Sequence, residues 1–346
     1  MEKNNFQHIL VVRTDRIGDV LLTLPVITAL HRNFPAVSVS MLLREYTRDL
    51  AETQRGVRSV LTYDCKGKQK SFFEMLGELR RARVDAAVTV YPRFRIALLL
   101  WLAGIPVRVG TAYRWYSFLF NARVYEHRKT AAKHEAEYNL SLLHALDCDV
   151  STPPHVELVL TIDDVSAAEE TRKKIGIIDT DRVVFLHPGS GGSARDWKPE
   201  QFALLSILLA EKGLKVVVTG SEQERTLIES VVKQSNNTAV PFISSLRLRE
   251  FAALIRTAKL FIANSTGPLH LAAAVGIPVI GFYPPLNVMS PKRWGPLTEK
   301  KMIFVPDPAQ CPRCNGGECQ GNTCMDQITP EQVAGAAENL LRAYPS

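Results

Sequence analysis

Short, continuous apolar runs alternate along the chain with longer segments whose apolar positions recur every three or four residues. Continuous runs are what strands buried on both faces look like, and the segments between them have helical spacing. The pattern therefore predicts α/β layers around parallel sheets, and it occurs twice. In the first half, strands are expected at residues 9–13, 37–43, 86–91 and 107–110, helices beginning near Asp19, Thr47, Ser71 and Phe94, and a closing helix over 133–146. In the second half, strands are expected at 183–187, 215–219, 260–263 and 279–282, with helices at 199–212, 222–234 and 248–257 and a last one at 330–343. Between the halves, DCDVSTPPH (147–155) is dense in turn formers and holds Pro153 and Pro154, which places the linker there. The domains are accordingly drawn at residues 1–150 and 156–329, with 330–346 as a C-terminal helix.

Composition agrees with this picture: 346 residues suit two domains, and 46% hydrophobic with 22% charged residues is ordinary for a globular chain. The polar opening, residues 1–8, leads into an apolar run too short for the core of a signal peptide, so a cytoplasmic location is expected. The longest apolar run, 96–105, falls well short of the ~18 residues of a membrane span. Charge adds an asymmetry. Residues 1–150 carry 22 Lys and Arg against 15 Asp and Glu, whereas the remainder carries 20 against 20, so the whole excess of +7 lies in the first half. An anionic partner for that half is implied: a phosphorylated glycan, an acidic membrane surface or nucleic acid.

The candidate chemistry sits where strands turn into helices. FIANSTGPLHLAAAVG (261–276) ends an apolar run in Asn264, Ser265 and Thr266, residues that cap helices; Gly267 permits close approach to the backbone and Pro268 fits the first turn. Unpaired first-turn amides and the helix dipole make such a turn a seat for an anion, although an ordinary capped helix has the same residues. HPGSGGSARDWK (187–198) frees its backbone with glycines and offers Ser190, Arg195 and Lys198 to phosphate oxygens. In GSEQE (220–224), Glu222 or Glu224 is placed to hold a ribose, while helix capping accounts for either acid alone. These turns belong at the carboxyl ends of strands, where open α/β sheets bind ligands. In the first half TDRIGD (14–19) brings Asp19 to the start of a helix, as a cap or as a base for a hydroxyl proton.

Taken together, VVRTDRIGDVLLTLPVITAL, HPGSGGSARDWKPEQFALL, VVVTGSEQER and FIANSTGPLHLAAAVGIPVIGFY resemble the ADP-heptose:lipopolysaccharide heptosyltransferases over nearly the whole chain. The resemblance implies an inverting glycosyltransferase of the GT-B type, two Rossmann-like α/β/α domains facing each other across a cleft. It implies Asp19 of the Gly18–Asp19 pair as the catalytic base, beside the acceptor, and Thr266 and Gly267, with His270 nearby, as readers of the donor diphosphate. Two positions depart from the family pattern: Ser265 stands where many relatives have Asp, and Arg195 where they often have Lys. The implied reaction is a single displacement in which the turn amides, with Arg195 or Lys198, carry the charge of the departing nucleoside diphosphate, and no cofactor is required. An anionic glycolipid acceptor would account for the basic half, with Arg93 and Arg114 as its ligands and a peripheral contact with the inner face of the inner membrane. Most of Trp115, Tyr116, Phe118 and Phe120 are expected in the core.

Four cysteines, Cys311, Cys314, Cys319 and Cys324, are spaced to close a tetrahedral zinc site of structural type; an iron-sulfur cluster, reduced thiols and a disulfide are the alternatives. A basic nucleic-acid-binding module is disfavoured, because the cysteines and the basic excess lie in opposite halves and the glycine turns would have no role. A nucleotide-sugar epimerase or hydrolase on the same scaffold is the rival enzyme.

Overall fold

The computed structural model describes residues 6–192, 195–310 and 323–345. The chain divides into two compact units, Met1–Val159 and Leu160–Ser346, so the division falls a few residues beyond the proline-rich stretch.

The first unit runs β1 (His8–Val12), α1 (Ile17–Leu21), α2 (Leu24–Asn33), β2 (Ser38–Leu43), α3 (Asp49–Glu52), β3 (Val57–Thr62), a small hairpin of β4 (Asp64–Cys65) and β5 (Lys68–Gln69), α4 (Phe72–Ala82), β6 (Ala86–Thr89), α5 (Phe94–Leu102), β7 (Val107–Thr111), β8 (Ala122–Val124) and α6 (Glu135–Ser141). Its main sheet is parallel, in the order β3-β2-β1-β6-β7-β8. The second unit runs α7 (Ile162–Lys174), β9 (Val183–His187), α8 (Pro199–Glu211), β10 (Lys215–Gly220), α9 (Arg225–Gln234), β11 (Val240–Ile243), α10 (Leu248–Arg256), β12 (Leu260–Asn264), α11 (Gly267–Ala274), β13 (Val279–Phe282), α12 (Pro291–Trp294), β14 (Lys301–Phe304) and α13 (Pro330–Ala343). Its parallel sheet, β11-β10-β9-β12-β13-β14, repeats the first. Both are doubly wound, and in each the strand order reverses beside the first strand, between β1 and β6 and between β9 and β12. Ligands of such sheets bind beyond the carboxyl ends of the strands at that point.

The central strands are wholly buried, as their apolar runs require: every residue of β1, β9 and β12 is buried. In the first unit Leu10, Val12, Leu42 and Ala87 pack against Met75 and Leu79 of α4 and Ile96, Leu99 and Leu100 of α5. In the second, Val184, Leu186, Val216, Val218 and Ile262 pack with Trp197, Phe202, Val231, Val333 and Ala337, so α8, α9 and α13 cover one face and the last helix belongs to this core. Capping sets several boundaries. Ser71 accepts from the Glu74 amide before α4 at 3.2 Å, and Thr329 and Gln332 form a reciprocal box around Pro330 before α13.

Several expectations are corrected. The helix near Asp19 begins at Ile17 with Arg16 in the capping position, so Asp19 is its third residue and caps nothing. The segment near Thr47 is a 3-10 turn followed by the one-turn α3. The helix over 133–146 is α6 continued by a 3-10 turn, Leu142–Leu146, and that over 222–234 opens as a 3-10 turn, Glu222–Glu224. Strands β3, β8, β11 and β14 and helix α7 were not anticipated. The four strands are partly exposed and lie at or toward the sheet margins, where a strand need not be continuously apolar, and β11 carries Pro241, which an edge tolerates. Helix α7 is mostly polar and is held by the pairing of buried Asp164 with Arg249 of α10 at 3.1 Å.

Candidate active site

In the first unit, the apolar β1 ends in an arginine. Arg13 is 2% exposed, and its guanidinium meets Asp15 (2.7 Å), Asp19, Glu135 (3.3 Å) and the amide oxygen of Asn139 (3.3 Å). Glu135 is also paired with Arg128. Asn139 returns to the turn through its amide nitrogen, which donates to Leu22 O (2.9 Å) and Thr23 Oγ1 (3.3 Å), and Thr23 Oγ1 donates to Asp19 O (2.8 Å). Helix α6 thus braces the β1–α1 turn and the Arg13 guanidinium, which pairs with the Asp19 carboxylate. Burial opposes the charge on Arg13, but the Asp15, Asp19 and Glu135 carboxylates outweigh it and hold the group protonated well above its ordinary value. Three carboxylates face two guanidinium groups here. Burial raises the Asp15 carboxyl to about 7 against the pull of Arg13, and the neighbouring Asp19 adds to the rise.

Beyond the β6 end of the same switch point stands Tyr91, with the Arg13 guanidinium 5.9 Å and that of Arg93 4.9 Å from its ring centroid. Arg93 also donates to the Tyr91 hydroxyl at 2.8 Å. Burial raises the Tyr116 phenol, and Arg114 and Arg93 both pull it back, so the two arginines expected at the acceptor share Tyr116 as a neighbour. Tyr116 and Phe120 are buried, as expected of that aromatic run, but Trp115 and Phe118 are exposed.

In the second unit three turns meet at the switch point. The β9 turn is stapled at both ends by Asn264, the last residue of β12. Its buried amide accepts from Trp197 N (2.8 Å) and donates to Pro188 O (2.7 Å), so Asn264 organises the glycine loop and does not cap α11. The capping position is Thr266, extended and making no side-chain cap bond, with Gly267 and Pro268 opening the helix and His270 buried within it. Ser265 donates to the Tyr283 hydroxyl, which in turn donates to Trp294 O at 2.9 Å.

The β10 turn approaches the β9 turn through Glu224. A Cβ added to Gly189 would lie 1.9 Å from Glu224 Oε1, so only glycine leaves room for that carboxylate. Glu224 is held by the Ser221 amide and hydroxyl at 2.8 and 2.9 Å. Beside it, burial raises the Asp196 carboxyl, a hydrogen bond from Ser190 opposes the rise, and Glu224 adds to it. Burial lowers His187, which Glu224 pulls upward and Thr219 Oγ1 contacts at 3.2 Å. Glu222, the other acid named for the ribose, is on the surface and accepts two hydrogen bonds from the Arg225 guanidinium (2.7 and 2.6 Å). Lys198, named for phosphate, is paired with Asp326 at 2.6 Å, and Arg195 is half-buried in the loop. Of the cysteines, Cys324 is buried in the apolar core, while Cys311, Cys314 and Cys319 lie outside the described residues.

Arg13, Asp15, Glu135 and Asn139 were not singled out from the sequence, and Asn264 was named there only as a helix cap. Only Arg13 leaves a signal there, as a charge that directly continues a wholly apolar strand.

The profile of glycosyltransferase family 9 (heptosyltransferase) matches residues 73–324. A Haemophilus influenzae protein that carries only the general name glycosyltransferase is 32% identical over 87% of this chain and 89% of its own. Lipopolysaccharide heptosyltransferase 3 of Escherichia coli K12 is 24% identical over 94% of this chain and 95% of its own. The solved structure of the E. coli ADP-heptose lps heptosyltransferase II superposes with a TM-score of 0.79 at 21% identity, covering 97% of this chain and 99% of that one. The fold class is GT-B, with two Rossmann-like α/β/α domains in one chain. The chain belongs to glycosyltransferase family 9, the heptosyltransferase family, and is an enzyme of glycosyl transfer.

Proposed function

We propose that this enzyme moves a heptose from ADP-heptose to the inner core of a lipopolysaccharide precursor, a lipid A-Kdo acceptor, by single displacement with inversion. The observation that carries the reading is the Asp19 carboxylate, fixed by buried Arg13 beyond the carboxyl end of β1 at the switch point of the first unit. A base must be held in one place to take a hydroxyl proton as the oxygen attacks the anomeric carbon; Arg13 restrains the carboxylate, and Thr23, tied to Asn139, restrains the Asp19 backbone. The leaving diphosphate would meet the first-turn amides at Thr266 and Gly267, with Arg195 or Lys198 to carry its charge. Glu224, seated on Gly189, is the acid favoured for the ribose over Glu222, which Arg225 occupies. The relatives' names support the donor and the acceptor class.

The test is ADP release from ADP-heptose with and without lipid A-Kdo. Release that depends on the acceptor, with a heptose on the product, is expected. Turnover without acceptor would favour the hydrolase or epimerase, and inertness toward ADP-heptose with turnover of another nucleotide sugar would change the donor.

No metal is assigned to the transfer step, and the cysteine cluster is proposed to hold a structural zinc. Protein purified without chelator should contain about one zinc per chain; folded protein free of metal would remove the proposal.

A further inference from the structure

Residues 86–125 contain five arginines, Arg93, Arg95, Arg108, Arg114 and Arg123, and no Asp or Glu. This stretch builds β6, α5, β7 and β8, and it also holds most of the exposed aromatic side chains. Among the described residues, every exposed large aromatic is in the first unit, and six of the eight, Phe94, Trp101, Tyr113, Trp115, Phe118 and Tyr125, fall in these residues. The exposed large apolar residues of the second unit are all aliphatic or Met.

Four of the aromatics stand around one small core. Ala97 of α5 packs with Tyr116, Leu119 and Phe120, and Leu98 covers them. Phe94 and Trp101 flank Leu98 on the helix, three to four residues to either side, and so share its face. The Phe94 ring stacks on Trp115 at 4.8 Å between centroids, and Phe118 projects from the 3-10 turn Ser117–Leu119. They remain 41%, 49%, 72% and 67% exposed for Phe94, Trp101, Trp115 and Phe118, an unusual outlay of apolar surface in a monomer. Exposed Arg93 and Arg114 adjoin Phe94 and Trp115 in the chain.

We propose that this face of α5 and the turn after β7 docks on the surface of an anionic lipid bilayer. Trp and Phe beside Arg suit the boundary between headgroups and acyl chains, where rings enter and guanidinium groups stay with the phosphates. Each basic residue near an anionic surface adds to the attraction, which salt screens. A second copy of the same face would set arginine against arginine with no acid in the stretch to neutralise it. No helix among the described residues is long and apolar enough to cross a membrane, so the contact is one of lying on the surface.

This inference goes beyond the transfer reading and does not depend on Asp19, because vesicle binding is read without turnover. The full-length protein is sedimented with phosphatidylcholine vesicles and with vesicles that also contain phosphatidylglycerol, neither carrying a sugar acceptor. Binding is expected only to the anionic vesicles, with a blue shift of tryptophan fluorescence and loss on adding salt. The double substitution Trp101→Ser, Phe118→Ser should weaken it about tenfold or more at an unchanged thermal midpoint, whereas Ile178→Ser, exposed in the second unit, should not. Equal binding to neutral vesicles, or full binding by a folded double variant, would overturn the proposal. So would a double variant whose only change is loss of a dimer, which would assign the face to a second copy, or a nucleic-acid affinity that survives where vesicle binding is absent.

Discussion

Asp19 and Asp15 both reach Arg13, yet they call for different experiments. Asp19→Asn keeps the shape but removes the proton acceptor, so transfer should fall on the order of 10²–10⁴-fold while ADP affinity is retained. Because Asp19 is not a cap and Arg13 keeps Asp15 and Glu135, the thermal midpoint should drop only modestly. Single-turnover transfer at saturating acceptor, with ADP binding and a melt, checks this; near-normal turnover would return Asp19 to a structural role. Asp15 predicts a pH effect. Its folded carboxyl is raised to about 7, above the ordinary ~3.9. The folded state therefore favours the protonated form, and the associated stability is present below pH ~4 and lost as pH rises through about 7. Relative to Asp15→Asn, which cannot titrate, the wild-type melting temperature should fall between pH 5 and 8. At ~2–4 °C per kcal/mol for a unit of this size, several degrees are expected. Parallel curves for the two proteins would show that the cluster's shared proton resides elsewhere.

At the scale of elements, the donor turns depend on two close fits that carry no charge of their own. Asn264→Ala would leave the Trp197 N–H and the Pro188 carbonyl buried without their partner, at about 1–3 kcal/mol each. The variant should melt earlier and lose ADP affinity with the glycine loop. Gly189→Ala should cost about 1–3 kcal/mol through overpacking against Glu224. Adding Glu224→Ala should recover much of that loss, since the two changes share one space and should not be additive. Additive melts would mean that the loop shifts and does not press on Glu224. The strands that present these turns were readable because they are buried on both faces: β9 and β13 have the limits expected, 183–187 and 279–282. The strands that escaped, such as β11 with Pro241 and β14 with its exposed Lys301 and Met302, are partly solvated and have no continuous apolar run to find.

At the scale of the whole molecule, the named donor turns and their support lie within residues 160–346, which have their own core. A chain of those residues alone should bind ADP within a few-fold of the full protein and transfer nothing, because Asp19 is absent; calorimetry on the fragment checks this, and a folded fragment without affinity would show that the first unit contributes to the donor site. The sequence by itself determined the two-fold repeat of α/β units, the central strands, the position of the glycine and Thr-Gly turns, and the family. Each of these is a local property: burial on both sheet faces demands a continuous apolar run, and an anion-binding turn demands small residues and caps at fixed spacing. The tertiary structure alone decided which partners the charged side chains at those turns have. Glu135 and Asn139 reach Arg13 from more than 120 residues away, Glu224 meets Gly189 across adjacent strands, and Lys198 is engaged by Asp326. A charged side chain takes its role from the partners that burial forces upon it, and those partners come from distant parts of the chain.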